Sequence, residues 1–273
     1  MASRVLLVAF FILGFHAVSS GQMIVAHRGA SHDAPENTLA AFELAWQQQS
    51  DGIEGDFYLT ADNQIVCIHD RDTQRTTGVK RSVEQSTLAQ LRELEYGQWK
   101  DPKFTGQIIP TLEQVLQTVP DGKTFVIELK SGEAIVPVLA AELDRLATDS
   151  IHILVIAFDQ ATVEQCKKRM PNTRVHWLTR FKQHPTTSVY HPTPDEIAAT
   201  VQHLGADGVG MKAERPVIDA PFVERLKASG CGEFHVWTVD SAEDARWYQQ
   251  LGVVGITTNR PAEIRAAIGK PPR

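Results

Sequence analysis

The 273-residue sequence predicts an α/β fold, a (β/α)8 barrel with a small insertion after the second strand. Three observations carry this. Short apolar runs alternate with segments of helical spacing along almost the whole chain, roughly eight of each. The runs are continuously apolar, as in parallel strands buried on both faces. No glycine-rich phosphate loop follows the first run, which argues against a dinucleotide-binding open sheet, and the length is typical of a barrel.

Taken in order, the chain opens on a targeting segment, residues 1–20. Arg4 is its one charge, Val5 to Phe15 is almost wholly apolar, and the small residues Ala17, Ser19 and Ser20 follow, which is the order of a secretory signal. The apolar run is short for a membrane span. The expectation is export to the periplasm or the medium, with no stable span after cleavage; the alternative is a membrane tether through an uncleaved segment. Residues 21–273 then form the barrel domain. Ile24 to Ala26 is the first strand, and a loop with Pro35 leads to a helix from about Thr38 to Gln49. Ile53 to Tyr58 is the second strand, and Gln64 to Ile68 is a further extended run.

Residues 71–109 break the rhythm. Arg71 to Ile109 is polar, carries Gly78, Gly97, Pro102 and Gly106, and predicts one short helix, Thr87 to Leu94. With few apolar residues for a core of its own, it reads as an insertion on the barrel face. Beyond it Thr111 and Gln114 form a capping box, Thr124 to Leu129 is a strand, and Ala134 to Ala147 is helical. Ile151 to Ala157 is a strand and Asp159 caps the next helix. Arg174 to Leu178 is a strand, and Thr193-Pro194-Asp195-Glu196 is a strong helix start. Gly208 to Met211, Glu233 to Val239 and Val254 to Thr257 are the remaining strands. Their helices open at Asp219, Ser241 and Pro261, and the Pro-rich end, Lys270 to Arg273, reads as disordered.

Composition narrows the function. A net charge of −6 gives no reason to expect nucleic-acid binding, so an anionic substrate has to be held by local cations. The three cysteines, Cys67, Cys166 and Cys231, match no zinc spacing and read as small buried hydrophobes.

A barrel of this kind places its active site at the C-terminal ends of the strands, so polar residues that terminate strands are the candidates. His27 and Arg28 end the first strand. Glu54 and Asp56 lie on one side of the second, His69 ends the following run, and Glu128 and Lys130 end the third. Three clustered carboxylates repel one another unless a cation joins them. Oxygen-only ligands favour Mg²⁺ or Ca²⁺ over zinc. The competing reading is a buried charge network of these acids with Arg28 and Lys130. His27 and His69 suit an acid–base pair, and Arg28 suits bidentate phosphate binding. Trp237, in the seventh strand, reads either as a surface for a substrate's carbon backbone or as a core aromatic. His235 is a weak pocket candidate, and the other histidines, His176 among them, read as structural or exposed.

His27-Arg28-Gly29, Pro35-Glu36-Asn37-Thr38, Glu54-x-Asp56, His69-Asp70 and Glu128-Leu129-Lys130 together resemble the signature of the glycerophosphodiester phosphodiesterase family. The resemblance implies a (β/α)8 barrel with an insertion after the second strand, and metal-dependent hydrolysis of a small-molecule glycerophosphodiester to glycerol 3-phosphate and an alcohol. By the same resemblance Glu54, Asp56 and Glu128 bind the divalent cation, and His27 and His69 are the general acid and base. Arg28 and Lys130 hold the phosphate, Trp237 lines the pocket and Asn37 orders the site. The glycerol hydroxyl beside the phosphate would attack phosphorus, and water would open the cyclic product. The family commonly has an aspartate where this chain has Asn259, expected to keep a capping function and lose the charge. Alternatives are the same chemistry on lysophospholipids or phosphoinositides, and a non-catalytic phosphodiester-binding protein.

Overall fold

A computed structural model describes residues 22–146 and 149–269. The leader, residues 1–20, and the Pro-rich end, residues 270–273, lie outside the described residues. Eight parallel strands follow one another around a closed ring: β1 (Met23–His27), β2 (Gly52–Leu59), β3 (Thr124–Leu129), β4 (His152–Ala157), β5 (Arg174–Thr179), β6 (Gly208–Lys212), β7 (Phe234–Trp237) and β8 (Gly255–Thr258). β1 closes the ring by pairing with both β8 and β2. The run after β2, Ile65–Cys67, turns back antiparallel along its upper end, opposite Phe57–Leu59. It leaves the ring and delivers His69 beside the mouth.

Each barrel strand is followed by a helix, and side-chain caps fix where most of those helices begin. Thr38, Asp159, Asp219 and Ser241 accept bonds from the first helical turn, while Thr111 and Thr193 form full capping boxes. The main core lies between ring and helices, with Phe42, Phe57, Phe125, Leu139, Phe234 and Tyr248 fully or almost fully buried. A second apolar layer fills the ring itself: Val25, Val126, Leu154, Ile156 and Leu178, with Trp237 packed against it. The three cysteines are buried and unpaired, as expected. Among the described residues no helix is long and apolar enough to cross a membrane.

The insertion departs from expectation in two respects. Its predicted helix shortens to Leu88–Leu91, capped by Thr87, and a second short helix, Gln74–Thr77, precedes it. It also has a core. Val83, Leu91, Tyr96 and Ile109 are buried against Tyr58, Val66 and Ile68, so the insertion borrows one apolar wall from β2 and its return strand. Counting only the insertion's own residues missed that shared surface.

A polar pair lies inside the ring. His176 on β5 and His235 on β7 are buried, with their Nδ1 atoms 3.0 Å apart, and Glu233 takes the Nε2 of His176 at 2.9 Å. Gly208 and Gly210 on β6 make the room. A methyl group at Gly210 would lie 2.4 Å from the His235 Nε2, and one at Gly208 2.8 Å from the His176 Nε2. Burial holds both rings neutral, pushing His176 well below its ordinary pKa and His235 down to about 4. The unfolded chain therefore takes up protons that the barrel refuses, and stability falls as pH drops from about 6.5 toward 4. For His235 alone the loss approaches about 3 kcal/mol. Thermal unfolding of His235→Gln should lose less Tm between pH 7 and pH 5 than the wild type; parallel curves would show that the pair does not set the acid limit.

Candidate active site

The register of three neighbouring strands assembles the site. His27 on β1 is opposite Glu54 on β2, and Asp56 on β2 is opposite Glu128 on β3. Glu54 and Asp56, two residues apart, point the same way. All three carboxylates are buried, and one oxygen from each lies within 4.8 Å of the others. His27, Arg28, Glu54, His69, Glu128, Lys130 and Trp237 line one pocket at the C-terminal mouth. Asp56 is wholly buried, and Asn37 is tied to it rather than lining the pocket. A larger cavity of about 680 Å³ opens at the other mouth of the ring, but none of the predicted strand-end residues lines it.

The loop after β1 explains the His-Arg-Gly sequence. Arg28 and Gly29 both take positive φ, 57° and 79°. A Cβ on Gly29 would lie 2.5 Å from the backbone of Ala41, so only glycine lets the loop seat on the helix Leu39–Gln47. This tight turn aims the Arg28 backbone N–H at Glu54 Oε2, 2.9 Å away. Asn37, also at positive φ, donates to Asp56 Oδ2 at 2.8 Å and accepts the Asp56 backbone N–H at 3.3 Å, tying its loop to β2.

The charges do not balance locally. Lys130 Nζ lies 2.9 Å from Asp56 Oδ1 and 2.5 Å from Glu128 Oε1, and Arg28 Nε lies 3.2 Å from Asp56 Oδ2. The charge network foreseen as the competing reading is therefore present, yet it sets two cations against three acids. Burial and mutual repulsion push the Glu54 carboxyl well above its usual range and Glu128 up to about 7, while Lys130 and Arg28 hold Asp56 down despite its burial. Glu54 Oε1 is buried and bonded to nothing. An oxygen-only donor set with a surplus negative charge and an orphaned carboxylate oxygen fits a hard divalent cation.

Both candidate histidines are held through Nδ1, which leaves Nε2 as the free ring nitrogen. His69 Nδ1 meets Asp70 Oδ1 at 2.7 Å. His27 Nδ1 meets the side-chain oxygen of Asn259 at 2.7 Å, and burial together with the adjacent Arg28 lowers its pKa to about 4. Asn259 is no helix cap, contrary to expectation: the final helix, Pro261–Ile268, starts after Arg260 without a side-chain cap. Its amide nitrogen instead donates to Asp240 Oδ2 at 2.6 Å, and its oxygen also accepts from Ser31 at 2.8 Å. The aspartate that seemed lost has a counterpart one step removed, at Asp240.

Sequence reasoning missed further parts. Glu36 and Arg75 connect the two histidine loops: Arg28 Nη1 meets Glu36 at 2.9 Å, Arg75 meets Glu36 at 2.8 Å, and Arg75 Nε meets Asp70 at 2.7 Å. The pocket also contains Phe158 and Arg180, the residues that follow β4 and β5. Their signal was available, since both directly follow apolar strands.

Comparison with known proteins agrees with this geometry. The model of the glycerophosphoryl diester phosphodiesterase family matches residues 27–263. A glycerophosphodiester phosphodiesterase of Caldanaerobacter subterraneus subsp. tengcongensis is 31% identical over 246 residues, covering 89% of this chain and 96% of that protein. One of Bacillus subtilis (strain 168) is 27% identical over 278 residues, covering 93% and 92%. Among solved structures, an Oleispira antarctica phosphodiesterase in complex with its product sn-glycerol-3-phosphate superposes with a TM-score of 0.79 at 25% identity, covering 91% of this chain and 97% of that one.

Because Glu128 holds a proton to about pH 7, a cation entering the carboxylate cluster must displace it. Calorimetric titration with Mg²⁺ or Ca²⁺ should show affinity rising by about tenfold per pH unit up to neutrality, with proton release, and Glu128→Gln should flatten that slope. A wild-type affinity independent of pH would place the ion elsewhere.

Proposed function

The chain belongs to the glycerophosphoryl diester phosphodiesterase family and shares its phosphodiesterase activity, and from that premise we propose metal-dependent hydrolysis of water-soluble glycerophosphodiesters to glycerol 3-phosphate and an alcohol, with His27 and His69 as the acid–base pair. The observation that carries this is the meeting of the Glu54, Asp56 and Glu128 carboxylates at the pocket that both histidines line. The product bound by the Oleispira relative supports the choice of glycerol 3-phosphate.

Glu54, Asp56 and Glu128 would hold the cation, Mg²⁺ or Ca²⁺, which when bound withdraws charge from the phosphate oxygens. With a divalent ion the three acids and two cations sum to a single positive charge, the complement of a diester. With the carboxylates neutralised by the ion, Lys130 would be released to bind the phosphate, and the uncommitted Nη2 of Arg28 offers it a second donor. His27, neutral through burial, takes the proton of the glycerol hydroxyl adjacent to the phosphate as that oxygen attacks phosphorus. His69 gives a proton to the departing alcohol oxygen through Nε2. In the second step water adds to phosphorus and opens the cyclic phosphodiester, with the two histidines exchanging roles. Asn37 and Asn259 position Asp56 and His27. Trp237 packs against the substrate's carbon atoms. We further propose that the leader exports the enzyme.

Release of glycerol 3-phosphate from glycerophosphocholine or glycerophosphoethanolamine should be abolished by EDTA and restored by Mg²⁺ or Ca²⁺. His27→Ala and His69→Ala should each slow turnover by about 100-fold or more. Wild-type rates in either variant would remove that histidine from the chemistry, and no turnover of any glycerophosphodiester with metal supplied would refute the function.

A further inference from the structure

We propose that Arg180, Phe158 and Trp237 form a subsite for the leaving alcohol, and that it selects alcohols carrying an anionic group. The inference rests on the hydrolytic reading above and adds to it the class of substrate.

The pocket has two unlike sides. The reacting groups come from β1, β2, β3 and the loop at His69. Facing them, at the ends of β4, β5 and β7, are Phe158, Arg180 and Trp237. Phe158 and Trp237 meet edge to face, with ring centroids 5.4 Å apart and planes at 90°. The Arg180 guanidinium lies over both rings, 4.8 Å from the centroid of Phe158 and 5.4 Å from that of Trp237. Two aromatic faces hold a cation in place without neutralising it.

That lack of neutralisation sets Arg180 apart. Arg28 is paired with Glu36 and Asp56, and Lys130 with Asp56 and Glu128. Arg180 has neither a carboxylate nor a hydrogen-bond acceptor among the described residues. The other arginine stacked on an indole, Arg215 over Trp247, is paired with Glu243 and Asp244. The indole N–H of Trp237 is buried and likewise bonded to no acceptor. This side of the pocket thus offers donors and a full positive charge. The glycerol arm is neutral, and the phosphate has Arg28, Lys130 and the carboxylate-bound cation on the opposite side. The partner left for Arg180 is the second alcohol, when it bears a negative group such as a phosphomonoester. A quaternary ammonium would meet like charge at the same place.

The test compares three glycerophosphodiesters: glycerophosphoinositol 4-phosphate with an anionic alcohol, glycerophosphoglycerol with a neutral one and glycerophosphocholine with a cationic one. The wild type should favour the anionic diester over the cationic one by about 10-fold or more in kcat/KM. Arg180→Met should remove that preference, mainly by raising KM for the anionic diester, and Arg180→Lys should restore part of it. Equal losses on all three diesters would assign Arg180 to the phosphate or the glycerol, and no change would make it a surface residue; either result overturns the proposal. Calorimetry of the same diesters in EDTA separates this from the question of activity. A charge preference in binding that Arg180→Met abolishes supports the subsite even if no diester is turned over, and its absence while turnover persists refutes the subsite alone.

Discussion

Three buried carboxylates compete for two cations at one end of the ring, and the rest of the site follows from that imbalance. Glu54, Asp56 and Glu128 are brought together by strand register, not by attraction, since β2 and β3 pair Asp56 with Glu128 whatever their charge. The backbone ladder and the apolar layers on both sides of the ring hold them in place against their repulsion. What remains is a surplus charge in a dry place, relieved by a proton on Glu54 or Glu128 or by a divalent ion. Only the second leaves all three acids ionised and makes the pocket attractive to a diester.

The surroundings serve that arrangement. Gly29 allows the turn that points the Arg28 N–H at Glu54, and Asn37 ties its loop to β2 to fix Asp56. His69 is hydrogen-bonded to Asp70, and from there Arg75 and Glu36 continue as a chain of ion pairs to Arg28. Arg75 belongs to the insertion, so that segment is tied to both histidine loops although none of its residues lines the pocket. Its shared core with Tyr58 and Val66 supplies the rigidity such a role needs. Asp240 and Ser31 do the same for His27 through Asn259.

Much of this was legible in the sequence because strand ends are legible. An apolar run that stops at His27-Arg28 or at Glu128-Leu129-Lys130 announces both the strand and the polar residues at its mouth, and seven of the nine candidates line one pocket. The helix starts were equally clear, since Thr111 with Gln114 and Thr193 with Glu196 are local signals. Contacts made across long intervals were not. Glu36 and Arg75 are 39 residues apart, and nothing near either one indicates the other. Asn259 looked like a cap because of the proline that follows Arg260, while its partners are Asp240 and His27. Arg180 could be placed at a strand end, but only the folded geometry puts it over two aromatic rings. His176 and His235 gave no sign of pairing, because the space they share is made by glycines on a third strand.

The account depends on a cation resolving the carboxylate cluster, and a crystal structure grown with Mn²⁺ and glycerol 3-phosphate tests that most directly. Anomalous scattering should locate one ion bound by oxygens of Glu54, Asp56 and Glu128, with Lys130 Nζ moved off Glu128 toward the phosphate. An ion elsewhere, or no ion and an unchanged Lys130–Glu128 contact beside bound glycerol 3-phosphate, would contradict it.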